Sequence, residues 1–100
     1  MLELDKTGIK PVVLAELISI AERYHIEKLI LFGSRARGDF RRTSDIDLAV
    51  SGGDFARFAL DVEEETSTLL KYDLEDLDRN IQEELLKSIQ KEAIVIYEKI

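Results

Sequence analysis

The chain has 100 residues, 45% of them hydrophobic, which is enough for one domain with one apolar core and leaves no room for a second substrate-binding domain. The net charge of -7 argues against wrapping long nucleic acid, because that binding depends on many Lys and Arg residues neutralising phosphates. The absence of cysteine excludes disulfides and thiolate metal sites, so a bound metal would need oxygen ligands or the single histidine, His25.

The start of the chain, Met1–Lys6, is charged and lacks the basic segment and apolar run of a signal peptide. No stretch approaches the roughly 20 apolar residues of a membrane span, so we expect a cytoplasmic protein with no membrane partner and one domain over residues 1–100.

The first predicted helix begins at Pro11, where apolar residues start to recur at helical spacing, and it extends over residues 11–24. His25, near its end, is interpreted as a surface imidazole and not as a base.

A buried strand and a tight turn come next. The apolar run 29–32 predicts that a strand over residues 26–32 is buried on both faces, and Gly33 ends it. Gly33 and Ser34, followed by a helix-compatible Arg-Ala-Arg, favour a strand–turn–helix whose backbone N–H groups point at an anion. The alternative is a plain turn in which Ser34 caps the short helix.

Two acidic residues mark the second strand. Asp45-Ile46-Asp47-Leu48 alternates polar with apolar, so Asp45 and Asp47 share one face, about 7 Å apart at a rise of roughly 3.3 Å per residue. Their oxygens can converge on one divalent ion, which would keep both carboxylates ionised. Two solvated acids on a strand edge are the alternative interpretation.

A turn and a helix follow the second strand. Ser51-Gly52-Gly53 predicts the turn, and Asp54 is a plausible N-cap for the helix. Phe55 and Phe58 are assigned to the core, and the acidic run 63–65 to a solvated face.

The last third of the chain contains two more strands and a helix. Residues 72–78 predict a short third strand and its exit, with Asp73 and Glu75 on one side and Asp76 on the other. Asn80 is a candidate cap for a last helix, and residues 93–97 predict a fourth strand. The alternation of helices and strands predicts an α/β (α+β) fold, with one small mixed sheet of about four strands, helices mainly on one face and the other face open.

The basic residues are concentrated in one place. Arg35, Arg37, Arg41 and Arg42 are four of the fourteen Lys and Arg residues and lie within eight positions. A local positive patch on an acidic protein suits a compact anion such as a nucleoside triphosphate better than a polymer. Structural ion pairs with the many acids are the competing interpretation.

The motif as a whole resembles a known family. Gly33-Ser34, ten intervening residues and Asp45-x-Asp47 resemble the signature of the DNA polymerase β-like nucleotidyltransferase superfamily. In its length and in the runs 31–38 and 44–48, the chain resembles the minimal nucleotidyltransferases (MNT), the antitoxin halves of HEPN/MNT toxin–antitoxin pairs. The resemblance implies the polymerase β-like fold and transfer of AMP from ATP to a hydroxyl. In that branch the implied acceptor is a tyrosine of the HEPN toxin.

The resemblance also implies roles for the motif residues. Gly33 and Ser34 would hold the β- and γ-phosphates, and Asp45 and Asp47 would ligate Mg2+, in a site for two ions about 3.5–4 Å apart. A third carboxylate on a later strand, which completes the metal site and orients or deprotonates the acceptor, falls best on Asp73.

Two assignments stay open at this point. Glu75 shares the predicted face of Asp73, and Asp76 is one register slip away, so either is an alternative third carboxylate. Arg35 and Arg37 are hypothesised to contact the triphosphate, whereas Arg41 and Arg42 have no assigned role.

Three functions compete. The first is an active protein adenylyltransferase antitoxin, which the intact motif favours. The second is a non-catalytic antitoxin that neutralises its partner by contact. The third is nucleotidyl transfer to a small molecule such as an aminoglycoside, which the resemblance disfavours because such enzymes carry an extra acceptor domain. Association into a homo-oligomer is compatible with each.

Overall fold

A computed structural model describes residues 4–79 and 81–100 of the chain. Its strands form one four-stranded sheet in the order β3-β2-β1-β4. After a 3-10 turn at Leu4–Lys6, the elements are α1 Pro11–Arg23, β1 Lys28–Phe32, α2 Ser34–Arg37, β2 Ile46–Ser51, α3 Phe55–Glu65, β3 Tyr72–Asp76, α4 Glu83–Glu92 and β4 Ile94–Glu98. None of the helices in this described part is long and apolar enough to cross a bilayer.

The predicted helix signals are confirmed at α1 and α3. Pro11 lies in the first turn of α1, where its missing N–H has no partner to lose. His25 follows this helix in a left-handed conformation, with φ of 58°, and is exposed as expected. The Asp54 carboxylate accepts a hydrogen bond from the Arg57 N–H at 3.2 Å, so the predicted N-cap of α3 is formed.

The start of the last helix differs from the prediction. The proposed cap, Asn80, lies outside the described residues, and α4 begins at Glu83 with Gln82 in the N-cap position. Glu83 and Glu84 occupy the first turn, where the helix dipole favours acidic side chains.

The strands pair in a mixed sheet, which confirms the predicted fold class. β1 is antiparallel to both β2 and β4, whereas β2 is parallel to β3 and reaches it through α3. The register places Asp47 of β2 beside Phe32 of β1 and beside Asp73 of β3. The pairing thus brings together the end of β1 and the starts of β2 and β3.

The two faces of the sheet differ in how they are covered. α1 and α3 cover one face and contribute Val13, Leu17, Ile20, Phe58 and Val62 to a large buried cluster. α4 packs against β1 on the other face, as part of a small cluster of Ile30, Phe32, Ala49 and Ile89. We call these the core face and the α4 face.

β1 is buried on both faces, as its apolar run predicted. Leu29 and Leu31 belong to the cluster on the core face, and Ile30 and Phe32 to the cluster on the α4 face. Burying a side chain of this size stabilises the fold by about 1.5–3 kcal/mol. β1 is therefore a rigid support for the turn that follows it.

Candidate active site

The predicted alternation in β2 is present. Ile46 and Leu48 are fully buried in the core face, so Asp47 between them points to the α4 face and is half-buried. Asp45 is exposed and immediately precedes the strand, which begins at Ile46.

Asp73 is the best placed of the three candidate third carboxylates. It is the register partner of Asp47, and neighbours across a parallel pair present their side chains on the same face. Glu75 pairs with Ala49, one step further from Asp47 on that face. Asp76 points to the other face, where its carboxylate accepts the Asp78 N–H at 3.0 Å and lies 3.7 Å from the Arg79 guanidinium.

The negative charges of the neighbouring acids act on the ionisation of Asp47. Burial, together with the nearby carboxylates of Asp73 and Asp45, raises the pKa of Asp47 from 3.8 to about 6. Arg37 acts in the opposite direction but does not cancel the effect. A divalent cation is the species that would relieve this repulsion.

The carboxylates of Asp45 and Asp47 are suited to form part of the ligand shell of a magnesium ion. Within residues 4–79 and 81–100, no three His, Cys, Asp or Glu side chains converge closely enough to enclose a metal ion by themselves. Magnesium is commonly held by one or two carboxylates, with substrate phosphates and waters completing its shell. The carboxylates of Asp45 and Asp47 meet that requirement.

Gly33 forms a tight turn against Asp47. Its φ is 76°, and a Cβ at this position would lie 2.1 Å from the Asp47 Oδ2 atom, so only glycine allows the contact. Gly33 occupies the N-cap position of α2, and Ser34 is the first helical residue. The alternative in which Ser34 caps the helix is therefore wrong.

Glu92, the last residue of α4, was not identified from the sequence. Its Oε2 atom accepts the Gly33 N–H at 3.0 Å, and its Oε1 atom accepts Arg37 Nη1 at 2.9 Å and Ser88 Oγ at 3.2 Å. Burial raises the pKa of Glu92, but the bonds from Arg37 and Gly33 outweigh burial and leave the pKa below its usual value. The one local signal was an acid in the last turn of a helix, where the dipole disfavours it.

Arg35 requires a correction. The residue is 1% exposed, and its guanidinium carbon lies 4.8 Å from the centre of the Phe40 ring. It donates to the Ser44 carbonyl oxygen from Nε at 3.1 Å and Nη2 at 2.9 Å, and to the Thr7 carbonyl oxygen from Nη1 at 2.9 Å. The predicted contact between Arg35 and the triphosphate is wrong, because the guanidinium is enclosed by main-chain carbonyls. It anchors the segment before Asp45.

The exposed part of the basic cluster is smaller than predicted. Arg37 is 44% exposed on its side chain and donates to Asp39 at 3.2 Å as well as to Glu92. Arg41 and Arg42 are exposed, and their carbonyl oxygens accept bonds from Arg35 at 3.5 and 3.2 Å. Of the four arginines, Arg37 is the one bonded to the residues around Gly33.

Comparison with known proteins gives a family match over most of the chain. Residues 15–100 match the family model described as Polymerase beta, Nucleotidyltransferase. A relative from Methanocaldococcus jannaschii, named a putative protein adenylyltransferase, is 46% identical over 50 residues. That match covers 50% of this chain and 48% of the relative, so the similar part spans about half the relative's length.

Solved structures share the fold. A chain in a crystal structure described as a toxin–antitoxin with AMP-PNP aligns with a TM-score of 0.65 and 21% identity, over 86% of this chain and 73% of that one. A chain in a crystal structure of a mutant toxin–antitoxin MntA–HpeT aligns with a TM-score of 0.68 and 22% identity, again over 86% of this chain and 73% of that one. A putative nucleotidyltransferase from Sulfolobus solfataricus aligns with a TM-score of 0.57 and 23% identity, over 95% of this chain and 86% of that one.

Proposed function

Since the chain belongs to the polymerase β nucleotidyltransferase family, we propose that it is a magnesium-dependent nucleotidyltransferase that moves AMP from ATP to a hydroxyl of a partner protein. The observation that carries the proposal is the position of Asp47. It touches the Gly33 turn on one side and is the register partner of Asp73 on the other. The turn proposed to bind phosphate, the proposed metal ligand Asp47 and the candidate base Asp73 are thereby neighbours on one face of the sheet.

Each residue has a role in this mechanism. Asp45 and Asp47 would hold Mg2+, in a site for two ions, and the bound metal would neutralise charge on the triphosphate. Gly33 and Ser34 would bind the β- and γ-phosphates. The hydroxyl oxygen attacks the α-phosphorus and the bond to the bridging oxygen breaks, so pyrophosphate leaves, while Asp73 accepts the hydroxyl proton.

The proposed acceptor is a tyrosine of a HEPN-domain toxin, which would make the chain an antitoxin in the cytoplasm. Three findings support this assignment. The M. jannaschii relative is named for protein adenylyl transfer, and two similar folds occur in toxin–antitoxin complexes, one of them with AMP-PNP. We also propose that residues 1–100 act as one nucleotidyltransferase domain.

The test is transfer of a label from ATP carrying it on the α-phosphate. The protein, Mg2+ and the candidate HEPN partner are incubated, and the labelled residue is mapped by mass spectrometry. We expect one modified tyrosine, and a rate at least about 10²-fold lower for the Asp45→Asn/Asp47→Asn variant, because its site no longer neutralises the triphosphate. The matched control is Glu84→Gln, an exposed acid on α4 that should leave the rate unchanged.

A non-catalytic antitoxin is the second candidate, because Glu92 occupies the turn and the carboxylates do not enclose a metal site. Persistent inhibition of the toxin by Asp45→Asn/Asp47→Asn, with no label transferred by the wild type, would establish this alternative. Label on an aminoglycoside and not on protein would instead identify a small-molecule acceptor.

A further inference from the structure

An internal carboxylate occupies the turn proposed for phosphate. The side chain of Glu92 is 12% exposed, and both of its oxygens accept bonds, one from the Gly33 N–H and the other from Arg37 and Ser88. A phosphate group would use the same kinds of donor, a backbone N–H and a guanidinium, in the same geometry. The turn is thus already bound to an anion of the protein's own.

The two anions compete for the same atoms. The Gly33 N–H has one hydrogen, which it donates to Glu92 Oε2, with the nitrogen and the oxygen 3.0 Å apart. A triphosphate beside Glu92 would also face its negative charge in addition to those of Asp45 and Asp47. The two anions therefore exclude each other at the Gly33 N–H.

The Glu92 carboxylate is bonded both to the turn after β1 and to its own helix α4. An acidic side chain at the C-terminal residue of a helix is unfavourable next to the helix dipole. The bonds to Gly33 and Arg37 offset this effect. Ser88, one turn earlier, adds a bond that keeps the carboxylate pointing at the turn.

We propose that Glu92 is an internal competitor of the nucleotide, and that a nucleoside triphosphate binds by displacing its carboxylate from Gly33 and Arg37. This inference rests on the proposed function. On displacement, Arg37 exchanges Glu92 for a phosphate oxygen, and the end of α4 is released from the turn. Glu92 therefore sets the affinity of the empty site and keeps Arg37 oriented until nucleotide arrives.

The experiment measures binding by calorimetry for two probes, AMP-PNP with Mg2+ and inorganic tripolyphosphate with Mg2+. The variants are Glu92→Gln, which keeps the side-chain shape without the charge, and Ser88→Ala, which keeps the charge but removes one bond. Glu84→Gln is the control for net charge, because it makes the same change at an exposed position of α4. Thermal melting verifies that every variant is folded.

We expect Glu92→Gln to bind both probes about tenfold more tightly than wild type, because a charge-assisted bond no longer has to be broken and about 1.4 kcal/mol corresponds to tenfold. Ser88→Ala should also bind more tightly, by a smaller factor, and Glu84→Gln should match wild type. The gain in Ser88→Ala separates displacement from simple charge repulsion, since that variant retains every charge.

The opposite results overturn the proposal. Equal or weaker binding by Glu92→Gln, with normal binding by wild type, would mean that Glu92 supports Arg37 in the bound state, and the proposed function would stand. Tighter binding by Glu92→Gln without tighter binding by Ser88→Ala would show that Glu92 acts by charge repulsion alone and not by occupying the donors of the turn. Failure of every variant and the wild type to bind either probe would overturn both this inference and the proposed function.

Discussion

The two faces of the sheet are built from the same strands but differ in the side chains they hold: one is mainly apolar, and the other also carries ionisable groups. The core face is covered by α1 and α3 and contains buried side chains from β1, β2 and β4, with the half-buried Tyr72 and Leu74 of β3 packed against them. The α4 face has a buried cluster of Ile30, Phe32, Ala49 and Ile89, and beside it lie the ionisable groups Asp47 and Asp73. Alternation along β2 sends Leu48 to one face and Asp47 to the other.

The difference shows how a small protein can hold carboxylates that repel one another. Stabilisation by apolar burial is concentrated on the core face, so a raised pKa at Asp47 is tolerated on the α4 face. The α4 face in turn provides the charged groups on which we base the proposed function. Three predictions test this division between the faces and follow in order of expected effect.

The largest effect compares two isoleucines with equal exposure. Ile20 on α1 and Ile89 on α4 are each 2% exposed. We expect Ile20→Ala to lower the free energy of unfolding by about 4 kcal/mol, because it opens a cavity in the larger cluster, and Ile89→Ala by about 2 kcal/mol, because the smaller cluster can collapse around the loss. Urea unfolding of both variants measures this difference. Equal decreases in the free energy of unfolding would show that apolar burial stabilises the two faces alike.

The second prediction concerns Asp47 and pH. The folded protein holds the Asp47 proton more tightly than the unfolded chain, since its pKa is about 6 and not 3.8. The stability that this group contributes is therefore fully present below about pH 4 and is lost as the pH rises through about 6. Asp47→Asn stays neutral, so we expect it to match wild type near pH 4 and to exceed it by about 1–2 kcal/mol near pH 8, after allowing for solvent screening.

The measurement is the free energy of unfolding of both proteins in urea across this pH range. Glu64→Gln, an exposed acid on α3, is the control and should show no such pH-dependent difference. A constant gap between Asp47→Asn and wild type at every pH would mean that Asp47 repulsion does not limit stability.

The smallest expected effect is local to one helix. Asp54→Ala removes the bond that caps α3 and should cost about 1 kcal/mol, whereas Asp54→Ser should retain most of the stability because serine caps a helix equally well. Thermal unfolding of the two variants provides the measurement. If Asp54→Ala lowered the free energy of unfolding as much as Ile20→Ala does, the stability of the core face would depend more on the capped start of α3 at Phe55 than on buried apolar area.

The fold was largely predictable because its signals are local. The recurrence after Pro11, the apolar run before Gly33 and the alternation around Asp47 each report burial within a few residues. The strand order required long-range pairing, which no local pattern specifies, and the parallel pairing that sets Asp73 beside Asp47 became visible only in the sheet.

In the proposed site, the placement of Gly33, Asp47 and Asp73 next to one another could be predicted from the sequence, but the environments of the arginines could not. Arg35 and Arg37 are two positions apart, yet the short helix α2 turns one inward to main-chain carbonyls and the other outward to Glu92. Composition cannot separate them, because both are arginines in one basic run. Glu92 was missed because its bond to Gly33 joins residues 59 positions apart.

The enclosure of Arg35 has a consequence for how freely this region can vary. Its guanidinium bonds the carbonyl oxygens of Thr7, Arg41, Arg42 and Ser44, which every amino acid possesses, and not their side chains. The shape of the loop is thus held in large part by one residue outside it, together with the bond from the Arg41 N–H to the Ser44 Oγ atom within it. Substitutions at the exposed positions 41 and 42 can therefore change the charge presented beside Asp45 while the backbone that carries Asp45 stays in place.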